Sequence, residues 1–321
     1  MTLRESLLFA LETHRDGDLS GEALARMLGV SRNAVWKAVE ALRAEGFDIL
    51  SAPRRGYRLA DDCDRVSAAG IRAALPAALR ALPIHFHDTV DSTNSQAKRL
   101  LADGLSGEAL VVAAAQTAGR GRRGRSFYSP RDTGVYMTLI LRPEGEVSDL
   151  VSLTAAAAVA VVRAIEGLTD ARPAIKWVND VYLEGKKLCG ILTEAVTGLE
   201  SGLVEGLVVG IGINVGTEDF PPELSGIAGS LRSHTLRKNR LIAAVAEELF
   251  RIAAHPEDKS YLADYRRRSM VLGRRVCFEQ NGQRFEALAT DIDDGGGLLV
   301  QLDDGSARTL RSGEITLRVS S

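Results

Sequence analysis

The chain has 321 residues, 45% hydrophobic and 26% charged, which suits two or three packed domains. A formal net charge of -2 excludes a polycation, so any nucleic-acid surface has to be local. Three scattered cysteines, Cys63, Cys189 and Cys277, fit neither a disulfide framework nor a zinc site and point to a reducing, cytoplasmic setting.

The first residues read as an amphipathic helix with acids inside it, not as a secretory signal. Leu3, Leu7, Leu8 and Leu11 recur at helical spacing. Ser20 is placed to cap a second helix carrying Leu24 and Met27 and ending near Gly29. Ser31 is placed to cap a third, with Val35, Val39 and Leu42 on its buried stripe. The short 28–31 link joins the two as in a helix-turn-helix. Residues 47–50 and 57–59 then form a hairpin wing whose turn carries Arg54 and Arg55. From 31 to 58 there are six Lys/Arg against three Asp/Glu. Arg32, Asn33, Trp36 and Lys37 on the third helix, with the wing arginines, would neutralise phosphates and read a groove. The plain alternative is an interaction or dimerisation module. Residues 60–70 are polar and mark a linker.

In the centre, an alternating strand over 84–90 runs into Asp91-Ser92-Thr93-Asn94 and a helix over 95–101. These polar residues either cap that helix or bind a small polar ligand. A buried strand, 109–115, delivers Gln116 into Gly119-Arg120-Gly121-Arg122-Arg123-Gly124-Arg125, with four cations and three glycines in seven residues. Glycine permits close backbone approach, and arginine offers a planar fork of donors for carboxylate or phosphate. A loop closing over an anion and a solvated basic loop both fit. A strand over 135–141 and an Ala/Val-rich helix over 148–165 follow. Its most apolar run, 155–162, is too short to span a bilayer, so no membrane role is expected. Lys176-Trp177-Val178-Asn179-Asp180 makes a turn, and further strands cover 188–195 and 206–214. Many strands with few helices between them predict an α+β fold with a mixed sheet. From 271 the pattern becomes short strands, with turn signals at Asn281-Gly282 and Asp304-Gly305. No tandem repeat and no metal-ligand cluster is visible.

Five motifs occur in order: Asp91 to Asn94, Gln116 to Arg125, Lys176 to Asp180, Lys187-Leu188-Cys189-Gly190-Ile191-Leu192, and Gly210-Ile211-Gly212-Ile213-Asn214. Together they resemble biotin protein ligase over nearly the whole chain. With the winged helix in front, the resemblance is to the bifunctional type that also represses biotin-synthesis genes.

The resemblance implies a winged helix-turn-helix over 1–62, a class II synthetase-like mixed-sheet α+β ligase domain over 63–269, and an SH3-like β-barrel over 270–321. It implies adenylation of biotin by ATP with Mg2+, then transfer from biotinyl-AMP to a lysine of a biotin carboxyl carrier protein. It also implies operator DNA as a partner and a homodimer when the adenylate, as corepressor, is bound. By resemblance, Ser92, Thr93, Asn94 and Gln116 bind the biotin ureido region, and Arg120, Gly121 and Arg122 fold over the biotinyl phosphate. Lys187 contacts the carboxylate or bridging phosphate, Lys176 meets the α-phosphate, and Asn214 binds adenine. Arg122, Arg125 and Phe127 complete the ATP site, with Lys176, Lys187 and Arg120 as the catalytic set. Asp180 is expected to orient an arginine or a magnesium-bound water. Two positions depart from the family pattern: Val178 replaces a proline, and Phe127 replaces a tryptophan. The alternatives are a lipoate or octanoate ligase, a non-catalytic ligand-sensing repressor, and a ligase whose winged helix no longer binds DNA.

Overall fold

Three capped helices open the chain: α1 (Leu3–Thr13), α2 (Gly21–Leu28) and α3 (Arg32–Ala44). In this computed structural model, which describes residues 1–52, 55–142, 150–197, 204–233, 235–280, 282–311 and 315–317, each cap is a side chain. The Thr2, Ser20 and Ser31 hydroxyls accept the N–H of the third helical residue of their helices. Gly29 ends α2 in the left-handed region at φ 65°, which makes the turn into α3 sharp. Strands β1 (Ile49–Ala52) and β2 (Gly56–Leu59) pair antiparallel as the wing. Leu7, Leu11, Leu24, Val35, Val39, Leu42 and Leu59 form this domain's core. Of the two apolar residues expected on α2, Leu24 is buried and Met27 is 53% exposed.

The expected linker is packed rather than solvated. Ala60, Cys63, Val66 and Ser67 are buried, and α4 (Ala68–Ala74) packs between α1 and the later helix α7 (Lys238–Ala253). The polar groups of this stretch are engaged across the junction. Arg15 holds Glu12 at 2.6 Å and donates to the carbonyls of Ala60 and Cys63. Asn239 donates to Glu12 and accepts from the Ser67 amide.

The central sheet has seven strands: β3 (Ile84–His87), β4 (Ala109–Ala113), β5 (Gly134–Leu141), β6 (Ala174–Lys176), β7 (Asp180–Leu183), β8 (Lys186–Thr197) and β9 (Val204–Asn214). Their order is β3-β4-β5-β9-β8-β7-β6. Among the described residues only the β3–β4 pair of this sheet runs parallel, so the sheet is mixed as expected. Alternation along β4 decides what covers each face. Ala109 and Val111 pack with Ala97 and Leu101 of α5 (Thr93–Ala102), while Leu110 and Val112 join the main core with α6 (Leu150–Leu168) and α7 (Lys238–Ala253). The apolar run lies inside α6, whose 19 residues pass the length and composition test for a membrane span. The helix is nonetheless mostly buried in the core, against β8, α7 and α8 (Tyr261–Arg268). Residues 148 and 149 of its expected start lie outside the described residues.

The C-terminal strands β10 (Arg275–Gln280), β11 (Gln283–Ile292), β12 (Leu298–Leu302), β13 (Ala307–Leu310) and β14 (Ile315–Leu317) form an antiparallel sheet in the order β13-β12-β11-β10-β14. No pairing closes it into a ring among the described residues, so what is seen is an open sheet rather than a barrel. Asn281 of the expected turn lies outside the described residues, and Gly282 takes φ 74°. The Trp177 indole N–H donates to the Gly296 carbonyl at 2.9 Å, joining this domain to the central one.

Candidate active site

The Ser92–Asn94 turn stands at the N-terminus of α5, where Ser92 is the N-cap residue by position but makes no side-chain capping bond. The hydroxyl is therefore available to another partner, and capping alone does not account for the residue. Next to it the Thr93 amide and hydroxyl both donate to Gln116 Oε1, at 2.8 and 3.2 Å. Gln116 Nε2 donates to Ser129, whose hydroxyl donates to the Phe127 carbonyl. Gln116 thus ties the start of the Arg/Gly segment to its end.

That segment is a hairpin. The Phe127 amide donates to the Gly119 carbonyl at 2.9 Å and the Gly121 amide to the Arg125 carbonyl at 2.7 Å. A Cβ at Gly119 would overlap the Phe127 carbonyl, so only glycine lets the two arms approach. Arg123 and Gly124 turn the tip at φ 53° and 76°. Arg120, Arg123 and Arg125 are exposed and Arg122 is half-buried, its guanidinium donating to Asn179 Oδ1 at 3.2 Å. Asn179 in turn donates to the Ile191 carbonyl, so the third motif anchors the second.

Lys176 ends β6, Asp180 begins β7 directly opposite it, and Lys187 is the second residue of the adjoining β8. Lys187 Nζ lies 2.6 Å from Asp180 Oδ1. Lys176 Nζ sits 5.6 Å from the Tyr182 ring centre, a cation–π distance. Asp180 is thus ion-paired with a lysine in this structure. The Trp177–Val178 peptide is cis, and the Val178 carbonyl accepts from the buried Tyr265 hydroxyl.

Gly190 and Gly212 face each other across β8 and β9 and make a floor without side chains. The Phe127 ring lies on it: a Cβ at Gly190 would stand 3.4 Å from the ring, and one at Gly212 only 2.5 Å. Tyr136 meets Phe127 edge-on, with centroids 6.4 Å apart. Burial pushes the Tyr136 hydroxyl up to about 12, so it remains a neutral donor to the Pro130 carbonyl. Asn214 is 4% exposed. Its Nδ2 donates to the Gly229 carbonyl, while its Oδ1 is buried without a hydrogen-bond partner.

These residues line one cavity of about 460 Å³, within the range of small-molecule sites. Ser92, Thr93, Asn94, Gln116, Arg120, Gly121, Arg122, Arg125, Phe127, Lys176, Lys187 and Asn214 all reach it, so every ligand residue expected from the sequence is brought together. The wall also contains Asn179, Tyr182, Tyr128, Phe220, Leu224, Ile227 and Ile315, which carried no expected role. Phe220, Leu224 and Ile227 belong to a Pro-containing stretch after β9 whose apolar residues border the cavity, Ile227 being 56% exposed. Among the described residues no three His, Cys, Asp or Glu side chains cluster as metal ligands.

Residues 86–214 match the family described as Biotin/lipoate A/B protein ligase, 4–58 an HTH domain, and 271–318 the Biotin protein ligase C terminal domain. The bifunctional ligase/repressor BirA of Bacillus subtilis (strain 168) is 34% identical over 312 residues, covering 95% of each chain. The chain belongs to the bifunctional biotin protein ligase family. The BirA of Escherichia coli (strain K12) is 31% identical over 306 residues, covering 93% of this ligase and 92% of the relative. Among solved structures, the biotin protein ligase of Aquifex aeolicus in complex with biotin and ATP superposes with a TM-score of 0.61 at 30% identity. It covers 74% of this ligase and 99% of that chain.

On the ligase's N-terminal domain, Arg32, Asn33, Trp36 and Lys37 are all exposed on α3, Trp36 by 52%. Arg55 is exposed at the wing but lies 2.7 Å from Asp18, which also faces Arg58. The wing's positive charge is thus partly neutralised within the domain. Arg54 lies outside the described residues.

Proposed function

We propose that this ligase joins biotin to ATP as biotinyl-AMP, passes the biotinyl group to a lysine of a carrier protein, and uses its winged helix as a biotin-responsive repressor. The observation that carries this reading is the single cavity in which all five ordered motifs meet. In the first step the biotin carboxylate attacks the α-phosphorus, a C–O–P linkage forms, and the α–β anhydride breaks to release pyrophosphate. No protein nucleophile is needed. The step needs cations that hold two anions in line, donors aimed at the developing charge, and exclusion of water from the mixed anhydride. In the second step the carrier lysine, as free amine, attacks the acyl carbon and AMP leaves.

The uncommitted Ser92 hydroxyl, with Thr93, Asn94 and Gln116, forms the polar end suited to a ureido ring. Arg120, Arg122, Lys176 and Lys187 form the cationic middle for the carboxylate and α-phosphate, and Asp180 orients Lys187. The partnerless Asn214 Oδ1 suits the exocyclic amine of adenine, and Phe127 offers a ring face beside it. Magnesium would come as a companion of the nucleotide: Asp180 lines the cavity beside Lys187 and is the carboxylate that would share it with the phosphates, where it would neutralise charge on the leaving pyrophosphate. The domain limits taken are 1–62, 63–269 and 270–321, with the C-terminal sheet belonging to an SH3-like fold. Operator DNA would meet α3 and the wing of a homodimer formed when the adenylate is bound, in the cytoplasm where ATP and DNA are found.

The test is pyrophosphate exchange into ATP across biotin, lipoate and octanoate. Exchange with biotin is expected; exchange with lipoate or octanoate alone overturns the reading. Protection of a palindromic DNA site by the adenylate-bound protein tests the repressor half, and Arg55→Glu should weaken it in a salt-dependent way.

A further inference from the structure

Thr138 lies mid-strand in β5, is fully buried, and does not line the cavity. A buried hydroxyl requires a partner, and its partners here are the site residues themselves. Thr138 Oγ1 lies 2.7 Å from Asn94 Oδ1 and 2.8 Å from Thr93 Oγ1. A hydroxyl has one proton to give. Asn94 Oδ1 can only accept, so the Thr138 proton is directed there, and the Thr93 proton turns to Gln116 Oε1 or to the Thr138 oxygen. The other half of the Asn94 amide is engaged as well. Its Nδ2 donates to Glu194 Oε2 at 2.9 Å and to the Leu192 carbonyl at 3.2 Å. Lys98 Nζ holds the second Glu194 oxygen at 2.7 Å. Thr138 faces Gly210 across the sheet, and a Cβ at Gly210 would overlap Asn94 Oδ1. Glycine makes the space, threonine supplies the donor, and Glu194 with Leu192 supplies the acceptors. Burial raises the Glu194 carboxyl, but the bonds from Lys98 and Asn94 outweigh it and hold the group below its usual range.

We propose that Thr138, backed by the Glu194–Lys98 pair, is a positioning residue that holds the Asn94 amide in one polarity and so sets the shape and polarity of the wall that a cyclic urea meets. This rests on the biotin-ligase reading of the cavity. Both halves of the Asn94 amide are satisfied by protein, so Asn94 shapes the subsite as a fixed wall. Ser92, whose hydroxyl makes no capping bond, is left to present a hydrogen-bonding group to the ligand. Loss of the Thr138 proton leaves Asn94 Oδ1 without its donor while Nδ2 stays on Glu194 and Leu192, so the side chain is held at one end only and shifts beside the head group.

The experiment compares Thr138→Val, which keeps shape and strand propensity but removes the hydroxyl, with Thr138→Ser, which restores it. Steady-state pyrophosphate exchange is read with biotin and ATP varied separately. In T138V the KM for biotin should rise about tenfold, the scale of one buried hydrogen bond. The KM for ATP should stay within about twofold and T138S should stay close to wild type, because only the hydroxyl is at issue. An unchanged biotin KM in T138V overturns the proposal, as does an equal rise in both KM values or a T138S as impaired as T138V. The Asn94 side-chain amide NMR signals, assigned through Asn94→Asp, give a readout without any ligand: they should move in T138V and return in T138S. Should wild type show no biotin-dependent exchange, the ligase reading fails, while these signals still decide the proposal, and signals unmoved in T138V overturn it.

Discussion

The two ends of the cavity are built on opposite plans. At the polar end, Thr93, Asn94, Gln116 and Thr138 form a closed hydrogen-bond network held between α5, β5 and β8. At the proposed nucleotide end, Asn214 Oδ1 is buried without a partner, and Tyr128 and Ile227 on the wall are more than one-third exposed. Three of the four arginines there are exposed. A network with every group satisfied pre-organises one small polar ligand. A wall with an orphaned acceptor and open apolar side chains is completed by what binds it.

The sharpest break in this comparison is at Lys187, where the two ends meet. Lys187→Ala should lower the single-turnover rate of biotinyl-AMP formation by about 10²–10³-fold, the scale for removing one preorganised group from a developing charge. A rate within tenfold of wild type would remove Lys187 from the chemistry. Next is Gly212→Ala, whose methyl would stand 2.5 Å from the Phe127 ring. Expelling that ring should raise the KM for ATP about tenfold and the KM for biotin less, in keeping with overpacking costs of about 1–3 kcal/mol. Equal effects on both ligands would contradict the division.

Asn214→Ala removes the orphaned acceptor and should cost about fivefold to tenfold in ATP affinity, as one hydrogen bond to a neutral donor would. The control is inosine triphosphate, which lacks the exocyclic amine: wild type should discriminate against it and the variant should not. The smallest effect is in pH. Glu194 is held below its usual range, so its contribution is complete above its unfolded value of about 4.3 and is lost only as pH falls through the lower folded value. Biotin affinity should therefore be flat from about pH 8 to 5 as far as this group is concerned, and Glu194→Gln should abolish any decline below that.

Much of this was legible in the chain because its signals are local. Ser20 and Ser31 announce helix starts, Gly29 a helix end, and the Arg/Gly run a turn with cations. The residues expected to meet ligand, from Ser92 to Asn214, line one cavity. The residues that hold them in place were not legible. Thr138 reads as one more alternating strand residue, and only its pairing opposite Gly210 with Asn94 above it gives the hydroxyl a purpose. Glu194 and Lys98 are 96 residues apart in sequence. Asp64 and Ser67 look like solvated linker, yet their polar groups meet the start of α7, a helix the pattern did not reveal. Polarity marks the surface only when its partners are water, and here the partners lie more than 170 residues away.

The most direct test of the two-ended account is calorimetric titration of biotin into the nucleotide-free protein at several temperatures. A preformed polar end predicts saturable 1:1 binding without ATP, with a negative heat-capacity change from burying the apolar ring and chain. Biotin binding that appears only once ATP is present would contradict it.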